Sequence, residues 1–504
     1  MSIALLDPRT PIIVGVGEIT HRNKEPEAGL EPIELMARAM RAAEQDTGVA
    51  LLNHINSLDV ICEYSWPYTD APTLLGERLG HLPTRRAYGV TGGESPVRYI
   101  HEAALRIARG ETVSAAVTGA EARYTVDAAA KRGVALDWLP RDDSVKLVRG
   151  TDICHPVAIA LGAAAPITIY PLYENATLAH WGLTPRQAQE ESARLWSRYS
   201  EVAAANPHAW LRRRFPPEEI AEPSATNRLI AWPYAKHMVA NPAVNMGAAV
   251  LLTSVGHARE LGIAEDRWVY VWDGAAAREP RDYLQRDHYH GSHAQDLVME
   301  TVLAQVGGDA AAFERLELYS CFPVVPKMAR RTLGLHPDAE MTSTGGLSFF
   351  GAPLNNYMTH AAAGLVHALR QAPGKAALLY GQGEYVTKHH ALALGSAPSP
   401  QGLPNADYSV QAAADARRGA VPPFVTQYAG SASLETFTVV YGRDGQPTHG
   451  VVVARTPVGE RLMARVDASD AASIAGLTDL DRSPVGRAGI VVACADGLMA
   501  WRLA

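Results

Sequence analysis

Residues 10–19, TPIIVGVGEI, form an apolar run ending in glycines, which predicts a buried strand. Residues 32–45, PIELMARAMRAAEQ, place Ile33, Met36, Ala37 and Met40 at helical spacing, and Pro32 suits a first helical turn. INSLDVICEY then returns to a strand pattern. This β–α–β alternation predicts an α/β sheet. The stretch TRRAYGVTGGESPVRYIHEAALRIARGETVSAAVTGAEA reads as strand, glycine turn, helix and strand. Its helix is predicted from Ser95 to Arg109, with Val97, Ile100, Ala104 and Ile107 on one face. Gly92-Gly93-Glu94 stands at the N-terminus of that helix, where free backbone N–H groups favour negative charge. A glycine turn serving backbone geometry alone is the plainer reading.

Residues 127–240 break the alternation. They are rich in Arg, Trp and Pro, with helical pieces at about 184–205, and read as a mostly helical insertion on one crossover. Regular order resumes at VNMGAAVLLTS (244–254) and RWVYVWDG (267–274). A second unit follows: helix AQDLVMETVLAQVG, strand FERLELYSCFPVVP, helix PKMARRTLGL, a glycine loop and helix over 342–372, and a strand–turn–strand over 375–395. The halves share one plan, as in a duplicated α/β unit. Residues 401–431 have the Pro, Gly and Ser content of a linker. Residues 432–504 are β-rich runs joined by turns such as RDGQ and ADGL, predicting a small antiparallel sheet or barrel.

Composition narrows the function classes. The 504 residues are 47% apolar and 20% charged, which supports a large core and excludes global disorder. A net charge of −7 without a basic tract argues against nucleic-acid binding. No apolar stretch reaches the roughly 18 residues of a membrane span. Met1 to Pro8 lacks the basic and apolar regions of a signal peptide. Cys62, Cys154, Cys321 and Cys494 are far apart and form no CxxC pair, so neither a disulfide framework nor a zinc ribbon is expected, and a cytoplasmic location fits. Neither a Rossmann fingerprint nor a phosphate-binding P-loop is present.

The strand–GG–helix unit, NMGAAVLLTS, TSTGGLSFFGAPL and ALLYGQGEYVTKH occur in the order that resembles the thiolase superfamily. NPHAW (206–210), AWPYAKHMVAN (231–241) and GEYVTKH (383–389) look like the marks of the type 1 thiolase-like proteins, relatives of sterol-carrier-type thiolases that append a small β-barrel. The resemblance implies an α/β thiolase fold with two similar halves in five layers (αβαβα), a helical insertion and a small C-terminal antiparallel β-barrel. The implied division is 1–260 (including the insertion), 261–400, a linker at 401–431 and a barrel at 432–504.

Thiolases need a nucleophilic cysteine at a helix N-terminus, a second cysteine that moves the α-proton, an activating histidine and oxyanion holes. Carried onto this chain, the nucleophile falls at Gly93, with Glu94 beside it. The histidine-containing HDCF segment becomes Tyr319-Ser320-Cys321-Phe322, the GHP motif becomes Gly351-Ala352-Pro353, and the CxG cysteine falls near Gly381. All four catalytic side chains are absent or changed, so ordinary thiolase activity is not expected. The glycine turns at Gly92, Gly93, Gly346, Gly351 and Gly381 still offer N–H donors to thioester or phosphate oxygens. The resemblance therefore implies acyl-CoA or CoA as substrate or ligand, with no further cofactor.

Four side chains are candidates for chemistry. Glu94 and Glu384 stand beside the two former cysteine positions. If their loops converge, mutual repulsion would raise one pKa and create an acid–base pair. The alternative is that each caps backbone N–H groups or faces solvent. Tyr319 stands where thiolase-like aldolases of sterol side-chain breakdown, which work with a small OB-fold partner, place a tyrosine. The alternative is a strand-end hydrogen bond. His389 and Lys388 either contact substrate or fix a loop. Cys321 reads as a small buried hydrophobe, and Cys154-His155 as structural. The His-rich run from Asp287 to His293 lies in a loop without a distant ligand set, so no metal is expected. The leading expectation is aldol or retro-aldol chemistry on an acyl-CoA. The others are an inactive acyl-CoA-binding or scaffold protein and an acyltransferase with a non-standard nucleophile. Either a monomer or a homodimer is compatible with the resemblance.

Overall fold

The computed structural model describes residues 6–504; residues 1–5, part of the segment inspected for a leader, lie outside them. The N-terminal half runs β1 (Pro11–Thr20), α1 (Pro32–Thr47), β2 (Ser57–Val60), α2 (Ala71–Leu79), β3 (Arg85–Tyr88), α3 (Ser95–Ala108) and β4 (Ser114–Ala122). The insertion carries α4 (Arg123–Arg132), α5 (Pro156–Ala160), α6 (Pro166–His180), α7 (Pro185–Ala205), α8 (Pro217–Ala221), β5 (Leu229–Ala231) and β6 (Tyr234–Ala235). The half closes with β7 (Asn245–Ser254) and α9 (Val255–Leu261). The second half runs β8 (Val269–Arg278), α10 (His293–Ala304), β9 (Phe313–Leu318), α11 (Val324–Thr332), α12 (Tyr357–Arg370), β10 (Ala376–Gly383) and β11 (Lys388–Gly395).

The duplication read from the sequence is visible in the topology. In the first half β2 pairs parallel with β4, and β4–β7 and β7–β1 pair antiparallel. In the second half β9 pairs parallel with β10, and β10–β11 and β11–β8 pair antiparallel. The counterpart of β3 is reduced to an extended segment, where the Leu318 N–H donates to the Met341 carbonyl at 3.0 Å. The half-sheets meet where Ile12 and Ile13 of β1 pair with Tyr270 and Val269 of β8. Helices α3 and α12 pack on each other and on strands of both halves, forming the central layer. Their contact faces are fully apolar: Val97, Ile100, Ala103 and Ala104 on α3, and Ala361, Ala362, Leu365 and Val366 on α12, are all buried.

Residues 401–431 are pinned to the core rather than spanning solvent. Ala276 bridges Ser409, and α13 (Gln411–Arg417) packs on α10 and β8. The chain then forms β12 (Gly430–Tyr441), β13 (Pro447–Arg455), β14 (Arg461–Asp467), α14 (Ala471–Leu477), β15 (Ala488–Ala493) and β16 (Met499–Leu503). These strands close in the order 12-13-14-16-15-12, with a helix between the third and fourth. All pairings are antiparallel except β14–β16, which is parallel at Arg465 and Ala500. That is the Greek-key barrel of an OB-fold. It docks on the insertion: Trp232 N–H donates to the Val439 carbonyl at 2.8 Å, and Asn175 Nδ2 to the Phe437 carbonyl at 2.8 Å. Arg461, buried in the barrel, forks onto Glu435 and reaches the Leu284 carbonyl of the core at 2.9 Å. No helix among the described residues is long and apolar enough to cross a membrane.

Candidate functional site

A cavity of about 500 Å3 opens where the N-terminus of α3, the turn after β9, the β10–β11 turn and the insertion meet. Gly92, Gly93, Tyr319, Cys321, Gln382 and Glu384 line one side, and Tyr170 of α6 faces them from the insertion. Most of the remaining wall is apolar, as ligand pockets usually are.

The centre of the site is the contact between Gly93 and Tyr319. A Cβ at Gly93 would lie 2.3 Å from the Tyr319 hydroxyl and 2.5 Å from the Gln382 carbonyl. The phenol thus occupies the space into which a side chain at position 93 would grow. Its ring is wedged edge-on against Tyr357, and its hydroxyl makes no hydrogen bond to any described residue. Burial, then Cys321 and Glu94, hold the phenol well above its ordinary pKa, so it is neutral and carries its proton. The Gly93 N–H, just outside α3, has no acceptor among the described residues. The neighbouring Gly92 N–H donates to Asn355 Oδ1 at 3.0 Å, and Asn355 Nδ2 in turn holds the Cys62 carbonyl at 2.7 Å. Tyr319 and Gly93 both line the cavity, and neither the hydroxyl nor the amide has a hydrogen-bond partner among the described residues.

We expect Gly93→Cys to destabilise the fold by about 1–3 kcal/mol through overpacking. Adding Tyr319→Phe should recover only part of that loss, because the Gln382 carbonyl stays in place. Urea midpoints of the two single variants and the double variant measure this coupling.

The two glutamates do not share a proton. Lys388 Nζ stands between them, 2.9 Å from Glu384 Oε1 and 3.9 Å from Glu94 Oε1, and it also donates to the Thr91 carbonyl at 2.8 Å. Burial works against the Glu384 charge, but hydrogen bonds from Arg281 (2.7 and 3.1 Å) and Lys388 outweigh it and hold the carboxyl below its usual range. Glu94 is pushed up by burial, with Lys388 pulling the other way and Glu384 adding to the push, and its Oε2 has no partner among the described residues. It does not cap α3, and its carboxyl lies behind the cavity wall, boxed by Gly92 and Gly383, where a Cβ would come within 2.3 and 1.8 Å of Oε2.

His389 lies away from the cavity. Its Nδ1 meets the Tyr380 hydroxyl at 2.8 Å and its Nε2 meets Ser292 Oγ at 3.2 Å, while burial pushes the imidazole down to about 4. It ties the strand pair to the start of α10, and with Glu94 and Lys388 it lines a separate cavity of about 400 Å3. Gly346, Gly351 and Gly381 are packing glycines: a Cβ there would strike Tyr199 at 2.4 Å, Val244 at 2.9 Å and the Glu94 Cα at 2.9 Å respectively. Gly346 and Gly351 also hold φ of 74° and 116°, which favours glycine. Burial pushes the Cys321 thiol up to about 12, so it is no ready nucleophile. Cys154 is likewise buried with its thiol near 12, and the His155 ring caps α5 at the Val157 N–H.

Sequence reasoning did not reach Tyr170, Asn355 or Gln382. The Tyr170 hydroxyl is 2.8 Å from Gln382 Oε1 and 2.7 Å from the Glu384 carbonyl, tying the insertion to the β10–β11 turn. Beneath the cavity wall, Glu63 meets the Tyr88 hydroxyl at 2.5 Å, and Glu121 accepts from the Tyr64 and Ser65 amides at 2.7 and 2.8 Å. Burial pushes Glu63 up to about 8 and Glu121 to about 7. Folded protein therefore holds protons that the unfolded chain loses above about 4.5. This contribution to stability is complete below that pH and falls as pH rises to about 8. We expect unfolding free energy to drop from about pH 4.5 to about pH 8, and Glu63→Gln to flatten the drop. The same slope in wild type and variant would contradict this.

The comparisons agree with this architecture. A family described as "Thiolase-like protein type 1 additional C-terminal domain" matches residues 410–496. No curated protein matches the chain. The crystal structure of a monomeric SCP2-thiolase like protein type 1 from Mycobacterium smegmatis superposes with a TM-score of 0.84 at 29% identity, covering 99% of this chain and 100% of that one. An Ltp2-ChsH2(DUF35) aldolase gives 0.59 at 17% identity over 77% of this chain and 98% of that one. Human mitochondrial 3-ketoacyl-CoA thiolase gives 0.57 at 15% identity over 77% and 100%. The chain is thus a protein of the thiolase fold. Within that superfamily its residues 410–496 match the additional C-terminal domain of type 1 thiolase-like proteins, and along its length the chain is similar to one of them.

Proposed function

We propose that the cavity binds an acyl-CoA thioester and that the protein makes or breaks a carbon–carbon bond there by aldol chemistry. The observation that carries this reading is the unpartnered, neutral Tyr319 hydroxyl, which fills the space beside Gly93 and opens into the cavity. Retro-aldol cleavage of a 3-hydroxyacyl thioester moves one proton from the 3-hydroxyl to the α-carbon, with no net uptake or release. One phenol can relay it, accepting on oxygen while giving up its own proton. The developing enolate oxygen would be held by the Gly93 N–H at the positive end of α3. No thiolate is needed. The match to an aldolase supports the class of reaction, and the C-terminal barrel offers in the same chain a fold of the kind that thiolase-like aldolases use as a separate partner. A monomer fits this arrangement.

Incubation with a panel of 3-hydroxyacyl-CoAs, with shorter acyl-CoA and carbonyl products followed by mass spectrometry, tests the reading. Binding of thioesters without turnover of any would favour a second one, an acyl-CoA-binding protein. Its support is that three candidate reactive groups lining the cavity are held neutral or charge-paired: Cys321 and Tyr319 upward, and Glu384 between Arg281 and Lys388. The acyltransferase reading is the weakest, because the Cys321 thiol is pushed away from its thiolate form.

A further inference from the structure

The loop between Arg286 and the first turn of α10 doubles back so that Asp287, His288 and His293 converge. Asp287 Oδ2 is 2.9 Å from His293 Nε2 and 3.8 Å from His288 Nε2, and one donor atom from each residue lies within 4.8 Å of the other two. A tetrahedral ion with bonds of about 2.0–2.1 Å sets its donors about 3.3 Å apart. The two carboxylate–imidazole separations bracket that edge. We propose that Asp287, His288 and His293 form a binding site for a divalent transition metal of the zinc class, distinct from the cavity, which locks this loop to the linker and the barrel.

The surroundings are those of an oriented ligand set. Among the described residues His288 makes no side-chain hydrogen bond, and its buried Nδ1 has no partner there. Its ring plane is set by stacking: His288 lies on His290 at 4.0 Å between centroids, and His290 on His180 of α6 at 3.8 Å. Asp287 Oδ2 accepts from the Gly419 N–H at 2.8 Å, and Oδ1 from the His288 N–H at 3.0 Å, which fixes the carboxylate. The Asp287 carbonyl accepts from Arg455 (3.3 Å) and Arg461 (3.2 Å) of the barrel. One residue thus joins the core loop, the linker and the barrel. Binding asks that His288 and His293 both be neutral and carry their proton on Nδ1, so that the ion replaces the hydrogen bond between His293 Nε2 and Asp287 Oδ2. The side chains of His288 and His293 remain 24% and 22% exposed, which leaves a fourth position open to water.

Two imidazoles and one carboxylate suit Zn2+ and its neighbours better than Ca2+ or Mg2+, which prefer all-oxygen sets. The lining residues of the cavity include none of the three, so the ion's role is structural. The loop supplies the whole ligand set from positions i, i+1 and i+6. No distant ligand is therefore required.

Calorimetry on the full chain, stripped with chelator and titrated with ZnCl2 at pH 7.5, tests the proposal. One equivalent should bind and raise the thermal midpoint. His288→Ala and His293→Ala should each weaken binding at least about 10-fold. His336→Ala, at an exposed histidine elsewhere, should not. Absence of saturable binding, or affinity unchanged in both loop variants, would overturn it. Should either variant fold poorly, Co2+ added to wild type gives a second measurement. Intense visible bands of a four-coordinate ion, lost on adding Zn2+, support the site; the weak spectrum of hydrated Co2+ overturns it.

Discussion

Tyr319→Phe is expected to lower turnover of a 3-hydroxyacyl-CoA by about 100- to 1,000-fold, the usual worth of a positioned proton-transfer group. It should do so with little change in KM or folding stability. The hydroxyl makes no hydrogen bond among the described residues, so removing it leaves no buried partner unsatisfied there. The ring stays and keeps its edge-on contact with Tyr357. Thioester binding draws on the rest of the cavity wall, so the loss belongs to kcat, the signature of an interaction made in the transition state. The raised pKa of the phenol gives a second readout. Because it stays protonated well above its ordinary range, Tyr319 should produce no alkaline fall in kcat through pH 9. Steady-state kinetics of wild type and variant across pH measure both. Equal rates would remove Tyr319 from the reaction while leaving retro-aldol chemistry open to another group.

The duplicated core was legible because its elements repeat one order with clear periods. The strand at 10–19 and the helices at 32–45 and 95–109 fall within a few residues of β1, α1 and α3. Helix α6 was not legible. Its residues from Thr168 to Leu178 are all buried, packed by the cavity on one side and the barrel on the other. A helix buried all round shows no amphipathic period, and Pro171 inside it reads as a breaker. Tyr170 was lost with it. The site was half legible. The motif positions located Gly93 and Tyr319, but not that each occupies space denied to the other. The Glu94 and Glu384 pairing was legible only in part: Glu384 does help to raise Glu94, but only the fold shows Lys388 between them and Arg281 arriving from the segment after β8. Likewise the proline- and glycine-rich stretch at 401–431 reads as a free linker, because its edge contacts with β8 are made by the backbone of Tyr408 and Val410 and by the single side chain of Gln411.

Lys327→Met is expected to destabilise the protein by about 3–5 kcal/mol, the cost of leaving a buried carboxylate without its cation. Lys327 on α11 is fully buried, pairs with Glu174 of α6 and donates to Ser192 Oγ of α7 at 2.9 Å. The other Glu174 oxygen accepts from the Tyr234 hydroxyl at 2.7 Å, so the tyrosine of the PYAKHM motif serves this tie rather than the cavity. Three segments far apart in sequence thus close on one carboxylate. Replacing the pair together, Lys327→Met with Glu174→Leu, should restore most of the stability, because an apolar pair of similar size no longer demands compensation. Urea midpoints of the two variants decide this; a single variant as stable as wild type would mean that Glu174 is neutral or finds water. The double variant also separates stability from function. Glu174 lies one helical turn beyond Tyr170 on α6, and α11 begins just after the turn that carries Tyr319. The ion pair therefore sets the distance between two tyrosines on opposite walls of the cavity. If that spacing matters, the repaired double variant should fold like wild type and still show weakened thioester binding by calorimetry.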